Sequence, residues 1–172
     1  MSKNTNRVAL VTGGARGIGR GCALALAEKG FDVALVDLLV PEMERTAGEI
    51  LALGREARFY QADVADFGRA QEVADDVVAA WGRVDFLLNN AGRSMPKGLL
   101  EITEEEWDRT LDINLKSCFN WCRAVVPHMN AQGGGRIANM SSLNAYSGGV
   151  TTAVSKFAYA AAKAGILGLT RA

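Results

Sequence analysis

The sequence predicts an α/β fold in which an open, doubly wound parallel sheet carries crossover helices on both faces. Three observations point there. Short apolar runs of strand length alternate with longer segments of helical period along all 172 residues, which is the pattern of parallel strands joined by helices. The first two runs are continuously apolar rather than alternating, as strands covered on both faces are. Glycine is the one skewed count, 19 of 172, or about 11% against a usual 7% or so, and several of these glycines crowd directly behind the first run.

Arg7 to Thr12 reads as the first strand and Phe31 to Asp37 as the second, with Gly30 ending the helix between them. Ala57 to Ala62, Val84 to Asn89 and Arg136 to Met140 complete five strands, each followed by turn or polar residues. Pro41 suits a first helical position. Thr103-Glu104-Glu105-Glu106 matches a capping box, with Ile102 and Trp107 placed for a hydrophobic staple, so the acidic run complements a helix dipole and is not catalytic. No repeat, low-complexity block or linker interrupts the chain, and one domain over residues 1–172 is expected.

Lys and Arg total 19 and Asp and Glu total 19, a balance that argues against an electrostatic nucleic-acid binder. With 49% hydrophobic residues, a chain this long forms a core without disulfide or metal staples. Cys22, Cys118 and Cys122 are odd in number and spread out, which suits reduced thiols; Cys118 and Cys122 share a helix face and are read as packing residues, with no metal expected. The apolar stretch Val8 to Val11 is far shorter than a signal-peptide core or the roughly 20 residues of a membrane span. A cytoplasmic protein with no membrane partner is expected.

Behind the first strand stands Thr12-Gly13-Gly14-Ala15-Arg16-Gly17-Ile18-Gly19, followed by a helical stretch from Arg20. Glycines let the backbone approach a pyrophosphate, and the new helix presents unsatisfied N–H groups to it. The spacing is neither Gly-x-Gly-x-x-Gly nor a P-loop, and a tight structural turn is the alternative. Asp37 ends the second strand where a carboxylate can accept hydrogen bonds from an adenosine ribose, and its charge would repel a 2′-phosphate. NAD is therefore expected over NADP, although Arg16 in the turn pulls the other way. Tyr159 and Lys163 lie four apart in an alanine-rich helical segment, hence on one face, where an ammonium can stabilise a phenolate.

Thr12 to Gly19, Asp63-Val64, Asn89-Asn90-Ala91-Gly92, Asn114, Ser142 and Tyr159-Ala-Ala-Ala-Lys163 together resemble, in order and approximate spacing, the short-chain dehydrogenase/reductases. The resemblance implies a Rossmann-type sheet of order 3-2-1-4-5 and reversible hydride transfer between a nicotinamide cofactor and a small-molecule carbonyl or alcohol. It implies that Tyr159 is the general acid or base, that Lys163 binds the nicotinamide ribose and lowers the tyrosine pKa, and that Ser142 hydrogen-bonds the substrate oxygen, with Ser141 as its neighbouring alternative. Asn114 would carry a water-linked proton relay. Gly13, Arg16, Gly17, Ile18, Gly19, Asp37, Asp63, Val64, Asn90, Ala91 and Gly92 would line the cofactor, with Asp63 near the adenine.

The nearest resemblance is to 3-oxoacyl-(acyl-carrier-protein) reductases and sugar or polyol dehydrogenases. Because the acyl-carrier reductases usually prefer NADPH, Asp37 tilts the expectation toward a catabolic alcohol dehydrogenase. Two departures stand out. The segment from Ser142 to Tyr159 is longer than usual, and relatives continue well beyond Ala172, so a C-terminal truncation lacking the sixth and seventh strands is expected. The competing expectation is a fragment that binds nucleotide without turnover. Relatives form homodimers or homotetramers, and the apolar face from Ala158 to Leu169 suits either such pairing or an ordinary buried helix.

Overall fold

The computed structural model describes residues 6–149 and 156–172. Part of the long Ser142 to Tyr159 segment and most of the stretch before Arg7 lie outside the described residues. Five strands, β1 (Arg7–Thr12), β2 (Phe31–Asp37), β3 (Ala57–Gln61), β4 (Phe86–Asn89) and β5 (Arg136–Asn139), pair in the order β3-β2-β1-β4-β5. All four pairings are parallel. The helices are α1 (Gly17–Glu28), α2 (Val40–Ala52), α3 (Phe67–Trp81), α4 (Glu104–Leu111), α5 (Ser117–Ala131), α6 (Asn144–Ser147) and α7 (Ala158–Arg171), with a π turn at Asp112–Lys116 between α4 and α5.

The continuous apolar runs of β1 and β2 are explained by the two cores they divide. Val8 and Leu10 of β1 and Ala34 and Val36 of β2 pack with Val73 and Val77 of α3 and Trp121 and Val125 of α5. Their neighbours Val11, Val33 and Leu35 turn to the other face, against Ala23 and Ala27 of α1 and Met43 and Ile50 of α2. Each large apolar side chain buried this way contributes about 1.5–3 kcal/mol relative to exposure. Because the connections from β1 to β2 and from β3 to β4 leave in opposite directions, a crevice opens where β1 and β4 end, the usual ligand position in such sheets.

Three strands are shorter than the sequence suggests. Ala62 and Met140 each contribute only one further backbone bond, to Asp37 O (3.1 Å) and Asn89 O (2.9 Å), and Asp85 precedes β4 with one backbone bond each to Val8 and Arg136. The helix starts are as read, with Pro41 at the second position of α2 rather than its first. The Thr103 hydroxyl accepts from the Glu106 N–H (3.3 Å) while the Glu106 carboxylate accepts from the Thr103 N–H (3.1 Å). On α7, Ala158, Ala162 and Ile166 are buried within the chain, where α7 packs on α4, α6 and the π turn.

Asp85 ties β4 to β1. Its carboxylate accepts from Val8 N (2.8 Å) and from Arg83 Nε (2.7 Å). Burial alone would raise its pKa, but the guanidinium and the Val8 N–H outweigh that and hold it below the ordinary carboxylate range. A depressed folded pKa contributes stability above the unfolded value of about 3.9 and loses it as pH falls through the lower folded value. Asp85→Asn is therefore expected to destabilise the fold by about 1.5 kcal/mol at pH 7. Urea midpoints should show the gap from wild type closing toward pH 3.

Candidate active site

The glycine turn behind β1 has the tolerance of a cradle and almost none for side chains. Gly13 (φ +66) and Gly17 (φ +57) adopt left-handed backbone. A Cβ on Gly19 would stand 2.0 Å from the Gly13 carbonyl oxygen, and one on Gly13 would stand 2.9 Å from Ala91 Cα. Gly17 instead faces open space, with nothing within 4 Å. Helix α1 starts there with Arg16 as N-cap, no side-chain capping bond and no acidic residue in its first turn. A helix start left in this condition carries free N–H donors and a partial positive charge.

Hydrogen bonds from the end of β4 hold the turn. The Thr12 hydroxyl accepts from Asn90 N (3.1 Å) and Ala91 N (3.2 Å), and Asn90 Nδ2 donates to the carbonyls of Thr12 (3.1 Å) and Gly13 (3.2 Å). The Asn90 side chain thus fastens the cradle. Asn89, quoted in the same motif, points elsewhere: it is buried and donates to Asn139 Oδ1 (2.8 Å). From the other side, Asp37 Oδ2 accepts from Ala15 N (3.2 Å), and the buried Thr46 hydroxyl of α2 donates to Ala15 O (3.1 Å).

A cleft of about 560 Å³ opens over this turn, within the range of small-ligand sites. Gly13, Arg16, Gly17, Ile18, Gly19, Asp37, Asp63, Val64, Asn90, Ala91 and Gly92 all line it, together with Leu38, Leu39, Arg93, Arg109 and Ile113 among others. Asp63 receives Ala65 N (3.0 Å) and is paired with Arg109 of α4. Burial would raise the Asp63 pKa; the Ala65 N–H and the guanidinium outweigh it and hold the carboxyl low.

Asn114 lies in the π turn rather than in regular helix, and is fully buried. π turns are rare and gather at functional sites. Its amide donates to Arg93 O (2.9 Å) and Thr110 O (3.0 Å) and accepts from Arg93 N (3.1 Å). A Cβ on Gly92 would meet Asn114 Oδ1 at 2.8 Å and Lys163 Nζ at 3.6 Å, so both polar groups converge beside Gly92 at the cleft wall. Lys163 is 4% exposed and donates to Met140 O (2.7 Å). Burial pushes its ammonium below the ordinary lysine range.

Lys163 Nζ also stands 5.6 Å from the centroid of the Tyr159 ring, which the shared helix face predicts. The two serines separate cleanly. Ser141 Oγ donates its proton to Lys163 O (2.7 Å), whereas Ser142 Oγ accepts from Asn144 N (3.2 Å), a bond that uses a lone pair and leaves the proton. Among the described residues no hydrogen bond joins Ser142 to Tyr159.

A family model described as short chain dehydrogenase matches residues 7–172. The chain belongs to the short chain dehydrogenase family. It is 41% identical over 167 residues to a probable galactose dehydrogenase of Rhizobium meliloti (strain 1021), covering 96% of this chain and 64% of that protein. It is also 41% identical over 167 residues to a 3-oxoacyl-[acyl-carrier-protein] reductase of Staphylococcus epidermidis (strain ATCC 35984), covering 96% of this chain and 67% of the relative. The crystal structure of a metagenomic short-chain oxidoreductase in complex with NADP superposes with a TM-score of 0.88 at 36% identity, covering 99% of this chain and 76% of that one. The chain thus spans about two thirds of the length of these curated relatives.

Short chain dehydrogenases bind a nicotinamide dinucleotide, and the comparisons do not favour NAD over NADP: the solved relative holds NADP. Motif reading missed two residues of this short chain dehydrogenase. Arg109, lining the cleft from α4, carries no motif signal, and its pairing with Asp63 spans 46 positions. Thr46 sits in the amphipathic pattern of α2 as an ordinary core position. Among the described residues no helix is long and apolar enough to cross a membrane.

Proposed function

We propose that this chain forms the cofactor-binding and proton-handling portion of an NAD(P)-dependent oxidoreductase acting on a carbonyl or secondary alcohol. The observation that carries it is the uncapped start of α1 opening on the cleft, beside Gly13 and Gly19, whose surroundings leave no room for a Cβ. N–H groups at Gly17, Ile18 and Gly19 would hold the pyrophosphate, and Asp37 the adenosine ribose. When bound, the nicotinamide ring supplies or accepts the hydride. Lys163 would donate to a ribose hydroxyl and present its charge to Tyr159. Tyr159 would give or take the proton at the substrate oxygen, and Ser142 would donate a hydrogen bond to that oxygen. Asn114 would hold the Arg93 backbone and Gly92 in place.

We infer a preference for NAD, because the Asp37 carboxylate on the cleft wall opposes a 2′-phosphate. A cytoplasmic setting fits the three free cysteines, and assembly as a dimer or tetramer completes the reading. Titration calorimetry with NADH and NADPH, followed by a turnover screen over sugars, polyols and 3-oxoacyl thioesters, tests it. Tighter binding of NADH is expected. Failure to bind either dinucleotide would overturn the assignment, and tighter NADPH binding would overturn the NAD preference alone.

A further inference from the structure

Past Gly92 the chain leaves the cofactor cleft along Arg93, Ser94 and Met95. Asn114 fixes the first of these at both backbone groups, accepting from Arg93 N (3.1 Å) and donating to Arg93 O (2.9 Å). The Met95 carbonyl accepts from Lys156 N (3.3 Å), and Lys156 O in turn accepts from Tyr159 N (3.0 Å). Residues 93–95 therefore run from the Gly92 corner, beside Lys163, to the residues just before α7, which carries Tyr159. Exposed Arg93 borders both the cleft and an adjoining cavity of about 360 Å³, whose wall also includes Met95, Thr110 and Ile113.

Charge singles Arg93 out. Four charged side chains among the described residues line this cavity: Arg93, Glu105, Glu106 and Arg109. Arg109 is paired with Asp63, and Glu106 with Lys97. Glu105 is drawn to its own helix start, where its N–H and the Thr103 hydroxyl hold the carboxyl below the ordinary range. Among the described residues nothing takes up the Arg93 guanidinium, and the residue is bonded only through its backbone. Arginine stays protonated at any working pH, so an uncompensated positive charge stands between the cofactor cleft and α7. A guanidinium matches a carboxylate with two parallel N–H donors. A phosphate would bring a second negative charge toward Glu105 and Glu106, and a neutral ligand would leave the fork unused.

We propose that Arg93 binds a carboxylate of the substrate, so that the cavity beside α4 takes the acidic end of a hydroxy or oxo acid. This rests on the oxidoreductase reading given above and names its substrate class. The clamp from Asn114 then has a use beyond the cofactor wall, since it fixes the backbone from which the guanidinium reaches.

Titration calorimetry on the purified protein loaded with NADH reads the contact without turnover. The probes are acids set against alcohols that carry a hydroxymethyl group in place of the carboxylate: D-ribonate against ribitol, and D-glycerate against glycerol. Wild type is expected to bind at least one acid about tenfold more tightly than its alcohol, the size of a charge-assisted contact in a partly exposed site. Arg93→Gln should bring acid and alcohol within about twofold of each other, with NADH affinity and melting temperature nearly unchanged because the backbone bonds to Asn114 remain. Arg93→Lys should keep part of the preference. Binding of no acid, equal binding of acid and alcohol by wild type, or a preference retained in Arg93→Gln would overturn the proposal while leaving the dinucleotide site standing. Loss of NADH affinity in Arg93→Gln would assign the guanidinium to the cofactor and overturn it too. Absence of any dinucleotide binding by wild type would overturn both this proposal and the reading on which it rests.

Discussion

Gly19→Ala is expected to destabilise the fold by about 2–3 kcal/mol and to lower dinucleotide affinity at least 100-fold. The added Cβ would lie 2.0 Å from the Gly13 oxygen and 2.6 Å from Asn90 Nδ2. The first contact is with backbone, so relief requires moving the turn itself. Moving it breaks the Asn90 bonds to Thr12 O and Gly13 O, the same bonds that fasten the turn to β4. The anion-binding N–H groups at the start of α1 would shift with it, and a cradle displaced by a few tenths of an ångström no longer matches a pyrophosphate.

Two neighbouring glycines provide controls that separate crowding from backbone strain and from helix propensity. Gly21, two residues on in α1, has nothing within 4 Å of its would-be Cβ, and Gly21→Ala should be neutral or stabilising by up to about 1 kcal/mol. Gly17 is equally uncrowded but sits at φ +57, so Gly17→Ala should cost about 1 kcal/mol through strain and weaken binding by less than Gly19→Ala. Melting temperature and calorimetry on the three variants read the order directly. If Gly19→Ala behaved like Gly21→Ala, the close-packed turn would not be what holds the cofactor.

The strands were legible because a buried parallel strand must be apolar on both faces, and Val8 to Val11 and Val33 to Val36 have that pattern without exception. The strand ends were not, since a single terminal bond such as Ala62 N to Asp37 O leaves no compositional trace. The glycine-turn, Asp37, Asp63-Val64 and Asn90-Ala91-Gly92 motifs line the cleft, whereas Asn114, Ser142, Tyr159 and Lys163 are not among its lining residues, and spacing said little about what each side chain touches. Asn90 and Asp37 were read as facing a ligand, and in the fold both also fasten the glycine turn. The Asp-Ile-Asn-Leu-Lys segment gives no hint of a π turn, because the phase shift of one extra residue cannot be read from a single five-residue turn. Arg109 was illegible for a different reason: its partner, Asp63, lies 46 positions away in the segment after β3, and only the folded chain brings the two together.

Tyr159→Phe is expected to lower turnover by a factor of 10³ or more while changing dinucleotide affinity less than twofold. Loss of a positioned general acid or base removes about 10²–10⁴ in rate, and here no second tyrosine is placed to substitute. Tyr146 is 76% exposed on the short helix α6. The Tyr60 hydroxyl lies buried in the sheet, where burial raises its pKa, the wrong direction for proton exchange near neutral pH. Tyr159 alone shares a helix face with a lysine, whose Nζ stands 5.6 Å from the ring centroid. Lys163→Met makes the contrasting case. It removes the cation beside Tyr159 and leaves Met140 O without its Nζ donor, so turnover and dinucleotide affinity should fall together. Steady-state rates paired with calorimetry on the two variants distinguish a residue that only moves a proton from one that also holds the cofactor. Turnover retained in Tyr159→Phe would remove that hydroxyl from the mechanism.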